Sequence, residues 1–143
     1  MGETRTFKKD MDFGMKGEGV IHQKISSYFS KLGKISNTKE LYKTPYYKYD
    51  FEAEDGTTFE LKTRRCSKNQ YPTTIIPSNK IIKDVNHRQF FIFSFTDGCY
   101  YILYNKELFD TFEIRDIEVF RTGINDLPKS HIHIPVNHLQ KME

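Results

Sequence analysis

Tyr49-Asp50-Phe51-Glu52-Ala53-Glu54-Asp55-Gly56-Thr57-Thr58-Phe59-Glu60-Leu61-Lys62 reads as two strands joined by a tight turn. Asp55-Gly56 is a hairpin signal, and both flanks alternate polar with apolar residues. Cross-strand partners share a face, so the side chains select the register. A two-residue turn at Asp55-Gly56 would set Phe51 against Glu60 and Glu52 against Phe59, mixing charge with aromatic rings on both faces. A three-residue loop, Glu54-Asp55-Gly56 with the glycine at positive φ, pairs Phe51 with Phe59 and Tyr49 with Leu61 on one face. The other face then carries Asp50 opposite Glu60, with Lys62 two residues further along.

Directly opposed residues have Cβ atoms roughly 4.5–5.5 Å apart, so two facing carboxylates repel unless something positive lies between them. Hard oxygen ligands suit Mg²⁺ or Mn²⁺, and Mg²⁺ commonly takes one or two protein carboxylates together with water and phosphate. Protonated Lys62 is no ligand, but beside such a site it can orient or help deprotonate water, or stabilise charge on a phosphate.

Asp50 followed by Glu60-Leu61-Lys62 resembles the motif of the PD-(D/E)XK nuclease superfamily, which includes many restriction endonucleases and the archaeal Holliday junction resolvases. Tyr49 stands where that motif carries proline. The resemblance implies a restriction-endonuclease-like α/β fold: an αβββαβ core over about 14–96, a mixed central sheet flanked by helices, and a C-terminal strand and helix extension over 97–143 in one domain. It implies a Mg²⁺-dependent endonuclease, with Mn²⁺ able to substitute. Asp50, Glu60 and the Leu61 carbonyl would hold the metal, Glu18 on the first helix would contribute, and Lys62 would act on water or phosphate. DNA is the default substrate and RNA the alternative. Cutting both strands of a duplex in one visit would favour a homodimer. A different class of function is also open: a nucleic-acid-binding module without catalysis, its acids and bases a structural ion network.

Downstream, Lys62, Arg64, Arg65 and Lys68 concentrate positive charge at the end of the Glu60 strand and are candidate phosphate contacts; a solubilising strand end is the plain alternative. Residues 66–77 read as a loop, where Tyr71 either stacks on a base or covers the core. Upstream, Gly14 to Gly33 reads as a helix, with Ile21, Ile25, Tyr28, Phe29 and Leu32 on one face and Gly33 as its C-terminal cap. Glu18 lies on that stripe's edge and is equally a favourable acid near a helix N-terminus. His22, one turn on, reads more readily as a packed core-edge residue than as a ligand.

Residues 1–12 read as a loose arm, and a strand returning beside the hairpin is expected within Lys34 to Tyr42. A short helix capped by Ser78 or Asn79 is expected to about Val85, with Lys80 and Lys83 on a solvated face. Gln89 to Phe95 has the near-continuous apolar pattern of a strand buried on both faces. Asp97-Gly98 turns it into a second strand, Cys99 to Tyr104. Asn105 caps a helix to Phe109, Phe112 to Phe120 alternates, Gly123 to Lys129 loops, and Val136 to Met142 reads as a helical turn. His131 and His133 share a strand face and read as a solvated edge, since a zinc site needs further ligands.

The chain has 143 residues and a net charge of +3, too small by itself to identify a nucleic-acid binder. Apolar runs are too short for a membrane span, and Cys66 and Cys99 lack metal-site spacing. With a polar, charged start, these point to a soluble intracellular protein, cytoplasmic or nuclear, with free thiols.

Overall fold

The computed structural model describes residues 7–44, 47–82, 84, 86–117, 120, 121, 124, 125 and 129–142, with backbone alone at 7–17, 120, 121, 124 and 125. The elements run α1 (Phe7–Tyr28), a 3-10 turn (Ser30–Leu32), β1 (Ile35–Asn37), α2 (Thr38–Leu41), β2 (Phe51–Ala53), β3 (Thr58–Thr63), β4 (Thr73–Pro77), a 3-10 turn (Ser78–Lys80), β5 (Gln89–Phe95) and β6 (Gly98–Leu103). There follow α3 (Lys106–Phe109), β7 (Glu113–Ile117), β8 (Phe120–Arg121), β9 (Ile124–Asn125), β10 (Lys129–Pro135), a 3-10 turn (Val136–His138) and β11 (Gln140–Lys141). The architecture is α/β, with a mixed sheet and few helices.

The larger sheet has the order β1-β2-β3-β5-β6-β11. Only β3 and β5 pair in parallel; the other neighbours are antiparallel. Phe51 pairs with Phe59 and Glu52 with Thr58, which is the register of a three-residue Glu54-Asp55-Gly56 loop. The Ala53 N–H bonds Thr57 O at 2.8 Å, and Gly56 has φ 91, the left-handed conformation that the loop demands.

Alternation along β3 and β5 divides the core in two. Phe51, Phe59, Phe90 and Ile92 pack with Ile21 and Ile25 of α1 on one face. Phe91, Phe93 and Phe95 point to the other face and meet Ile76, Ile132 and Ile134 of a second sheet, ordered β4-β10-β7. Phe51, Phe59, Phe91 and Phe93 are fully buried, each contributing roughly 1.5–3 kcal/mol over an exposed position. β5 is thus buried on both faces, as its composition predicts.

Several expectations change. Helix α1 begins at Phe7, so part of the expected arm is helical; the turns that pack through Ile21 and Ile25 provide the nucleus from which it extends. Residues 1–6 lie outside the described residues. The expected loop over 66–77 contains β4, whose Thr-Thr-Ile-Ile run favours a strand, while Pro77 is tolerated because β4 is an edge strand. The helix expected to Val85 is a single 3-10 turn, because the backbone at Lys80 and Ile82 is drawn onto the buried Gln89 side chain. Lys83 and Val85 lie outside the described residues, as does most of the loop expected at 123–129. The crossover between the parallel strands is therefore built from β4 and a 3-10 turn.

Residues 97–143 supply β6 and β11 to the main sheet and β7 and β10 to the second one. β10 is that sheet's middle strand, so His131 is buried at 7% exposure and does not lie on a solvated edge. The chain ends in a 3-10 turn followed by β11, which replaces the expected helical turn at 136–142. Asn105 caps α3 as expected, its side chain accepting from the Leu108 N–H at 3.0 Å. Among the described residues no helix is long and apolar enough to cross a membrane.

Candidate active site

β2 has only three residues, whereas β3 runs on to Thr63, and the difference leaves a notch beside the second half of β3. Asp50 fills it. Its N–H bonds Phe59 O at 3.1 Å, and its Oδ2 accepts from the Leu61 N–H at 2.8 Å, where a longer β2 would have supplied a backbone carbonyl. A strand residue's N–H and C=O point to the same side, so the Leu61 carbonyl also opens towards Asp50. Thr38, fully buried, anchors this corner: its N–H bonds Asp50 O at 2.9 Å, and its hydroxyl reaches Asp50 O and Tyr49 O.

Because the chain bends over Lys48 to Asp50, the paired ladder begins only at Phe51. Tyr49 therefore does not pair with Leu61 on the α1 face. It turns towards Tyr47 and His87, and His87 Nε2 lies 2.7 Å from Thr58 Oγ1 on the opposite face.

Glu60 lies beside Phe91 in the parallel register and is 4% exposed. Burial pushes its carboxyl above the usual range, and the charge of Asp50 pushes it further; Lys62 and Lys80 oppose the shift. The Asp50 side chain reaches the Glu60 strand at Leu61, although its backbone bonds Phe59 and lies outside the paired ladder. Lys62 Nζ stands 3.5 Å and Lys80 Nζ 3.4 Å from Glu60 Oε1. Lys80 is the residue that local pattern assigned to solvent. It arrives over Glu60 because Gln89, 2% exposed, donates to Lys80 O at 2.7 Å and accepts from the Ile82 N–H at 3.2 Å. Lys80 Nζ also reaches Lys48 O at 3.2 Å. The glutamine that opens an apolar strand was the sequence signal for this clamp, since a buried amide needs partners.

Glu18 lies elsewhere: its Oε1 accepts from Asn37 Nδ2 at 2.9 Å, and its Oε2 is 4.0 Å from Lys39 Nζ. It sits on α1, which packs on the face opposite Glu60. Among the described residues no group of three or more His, Cys, Asp and Glu is arranged to hold a metal ion. His22 stacks on Phe51 at 5.0 Å and its Nε2 lies 2.7 Å from Ile35 O, a packed core-edge residue. Asp50, Glu60 and the Leu61 carbonyl, the residues that could hold a cation, offer hard oxygens, a donor chemistry that suits Mg²⁺ or Mn²⁺.

The downstream cations divide. Arg64 is drawn inward: its guanidinium donates to Thr74 Oγ1 and Ile75 O, lies 5.9 Å from the Phe93 ring centre, and has its pKa lowered by burial. It joins the two sheets and is spent as a phosphate contact. Arg65 is exposed. Lys68 Nζ lies 5.2 Å from the Tyr100 ring centre, and Tyr71 is 58% exposed. Arg64, Lys68 and Tyr71 line a cavity of about 440 Å³ together with Phe95 and His133, and neither Asp50, Glu60 nor Lys62 borders it. Of the candidate phosphate contacts, Arg64, Lys68 and Tyr71 therefore border a different place from the carboxylates.

In comparisons with known proteins, no family model matches the chain, and no match is found among curated proteins or solved structures.

Proposed function

We propose that this chain is a metal-dependent nuclease with a restriction-endonuclease-like core, hydrolysing phosphodiester bonds of DNA, with RNA the alternative substrate. One observation carries the reading: on one strand a buried glutamate and an ammonium group stand two residues apart, and the N–H of the residue between them is held by an aspartate side chain in a notch of the sheet. The order α1, antiparallel β1-β2-β3, then β5 parallel to β3 supports the fold assignment, with β4 standing where a crossover helix is expected.

Asp50, Glu60 and the Leu61 carbonyl would hold Mg²⁺, which when bound supplies charge neutralisation at phosphate and acidifies water. Lys62, held at the Glu60 carboxylate, can donate to a phosphate oxygen or orient the attacking water. Lys80 is a second cation at the same carboxylate. Glu18, bonded to Asn37, acts at most through that residue's hold on the start of α2.

Incubating the purified protein with plasmid, branched DNA and RNA in Mg²⁺ tests this. Cutting that needs the metal and disappears in Asp50→Ala and Lys62→Ala is the expected result; cutting of no nucleic acid, or undiminished cutting by both variants, overturns it. The contacts of both Lys62 and Lys80 with Glu60 favour a second reading, a non-catalytic nucleic-acid-binding module with a closed ion network. Calorimetric titration separates the two: the nuclease binds Mn²⁺ and loses it in Asp50→Ala, whereas the module binds little or none.

A further inference from the structure

The segment leading into Asp50 interleaves aromatic rings with lysines: Lys39, Tyr42, Lys43, Tyr47, Lys48, Tyr49. In the fold the three described tyrosines form one assembly. The Tyr42 and Tyr47 rings stack with centres 4.2 Å apart and 6° between planes, and Tyr47 meets Tyr49 edge-on at 5.1 Å and 82°. At the end of the stack the Tyr42 hydroxyl donates to Glu52 Oε2. The rings are thus held in place from below. At the outer end, Tyr42 remains 42% exposed, and Lys43 and Lys48, next to Tyr42 and Tyr47 in the chain, are exposed. Lys43 has φ 54, the one non-glycine residue at positive φ among the described residues, so the corner after Tyr42 is kept in a costly conformation.

The location follows from register. Glu52 pairs with Thr58, which places the Tyr42 anchor on the face that carries Glu60, roughly 7 Å further along β3. Tyr49 and Lys48 connect the same assembly to Asp50 and, through Lys48 O, to Lys80.

We propose that this tyrosine stack is a platform for an unpaired nucleobase, with Lys43 and Lys48 contacting the flanking phosphates, so that the substrate is a single strand, or a junction or strand end with unstacked bases. A ring face can be covered by a base only when that base has left its own duplex stack, whereas lysines alone would accept duplex equally. The alternating aromatic and basic chemistry is complementary to a nucleic-acid strand and to no apolar protein surface. This proposal rests on the nuclease reading for its purpose but is tested by binding alone.

The experiment measures fluorescence anisotropy of labelled single-stranded DNA, single-stranded RNA and duplex of the same sequence with the full chain in EDTA, where no cleavage occurs. The wild type is expected to prefer the single strands. Tyr42→Ala loses about tenfold in single-strand affinity and little for duplex, as removal of one stacking ring requires. Tyr42→Phe, which keeps the ring, stays within about twofold, and thermal melts of both variants show that the fold is intact. Lys43→Ala with Lys48→Ala flattens the salt dependence without changing the preference for single strands. Equal binding of duplex and single strand, unchanged affinity in Tyr42→Ala, or a Tyr42→Ala effect confined to self-association overturns the platform. Failure of the nuclease reading looks different: Asp50→Asn and wild type then bind alike and neither cuts, while the tyrosine dependence persists.

Discussion

Replacing Lys80 with methionine keeps the stem and removes one of two ammonium groups facing a buried carboxylate. At 3.4 Å the attraction of unit charges in a medium of effective dielectric about 20 is about 5 kcal/mol. Lys62 remains at 3.5 Å, and Lys80, with its side chain 29% exposed, is freed of part of its desolvation, so the net loss of stability is about 1–3 kcal/mol. For a chain of this size that is a fall in Tm of about 4–10 °C. The loss must depend on pH. Glu60 already titrates above the usual glutamate range because of burial and Asp50; removing Lys80 raises it again. Below the wild-type titration Glu60 is protonated in both proteins, and the variant costs little. As the pH rises through that titration and on to the variant's higher one, the folded variant holds a proton that the folded wild type has released, and the penalty grows to its full value. Thermal unfolding followed by circular dichroism across a pH series reads this directly. Lys106→Met is the control: its pair with Asp110 is shorter, at 2.6 Å, but both side chains are exposed, and no resolvable change is expected. A Lys80→Met penalty independent of pH, or no larger than that of Lys106→Met, would refute the placement of Lys80 over a charged Glu60.

Glu60→Gln should stabilise the fold at neutral pH while abolishing any metal-dependent cleavage: a carboxyl whose folded pKa is raised favours folding only when protonated, so wild-type stability falls as pH climbs from the ordinary glutamate value to the raised one, and denaturant titration should show the variant's advantage fading on acidification. Gly56→Ala should cost about 1–2 kcal/mol in thermal melts, from left-handed backbone alone, because no heavy atom lies within 4 Å of the added methyl; a neutral result would contradict the loop geometry. Arg64→Gln should cost about 1–3 kcal/mol of stability by losing the planar contacts to Thr74 and Ile75, yet leave the salt dependence of nucleic-acid binding unchanged although a charge is removed; a flattened salt dependence would return Arg64 to the phosphate-binding surface.

The hairpin was legible because its information is local. Phe51, Phe59, Glu60 and Gly56 lie within a few residues of one turn, and the period of two together with the positive-φ demand of the loop selects one register. The buried character of β5 was legible for a similar reason, since Phe90 to Phe93 leaves no polar face. That the Asp50 side chain reaches the Glu60 strand agrees with that register, but the bend at Tyr49, which keeps Asp50 out of the paired ladder, was not legible: where a strand ends is set by what its neighbours offer, here the Thr38 hydroxyl and the Leu61 N–H. Contacts between distant segments had no local signature. β4 becomes a strand because β10 supplies its partner, and that same pairing buries Thr74 where Arg64 can reach it. Lys80 looked like an ordinary solvated lysine in sequence, yet a single buried amide, Gln89, draws its backbone over Glu60. By itself the sequence determined the faces of the hairpin and the acid-base chemistry it carries. Which cations reach that chemistry was decided only by the tertiary structure, because periodicity assigns a side chain to a face, whereas packing and hydrogen bonding across the sheets determine what lies opposite it.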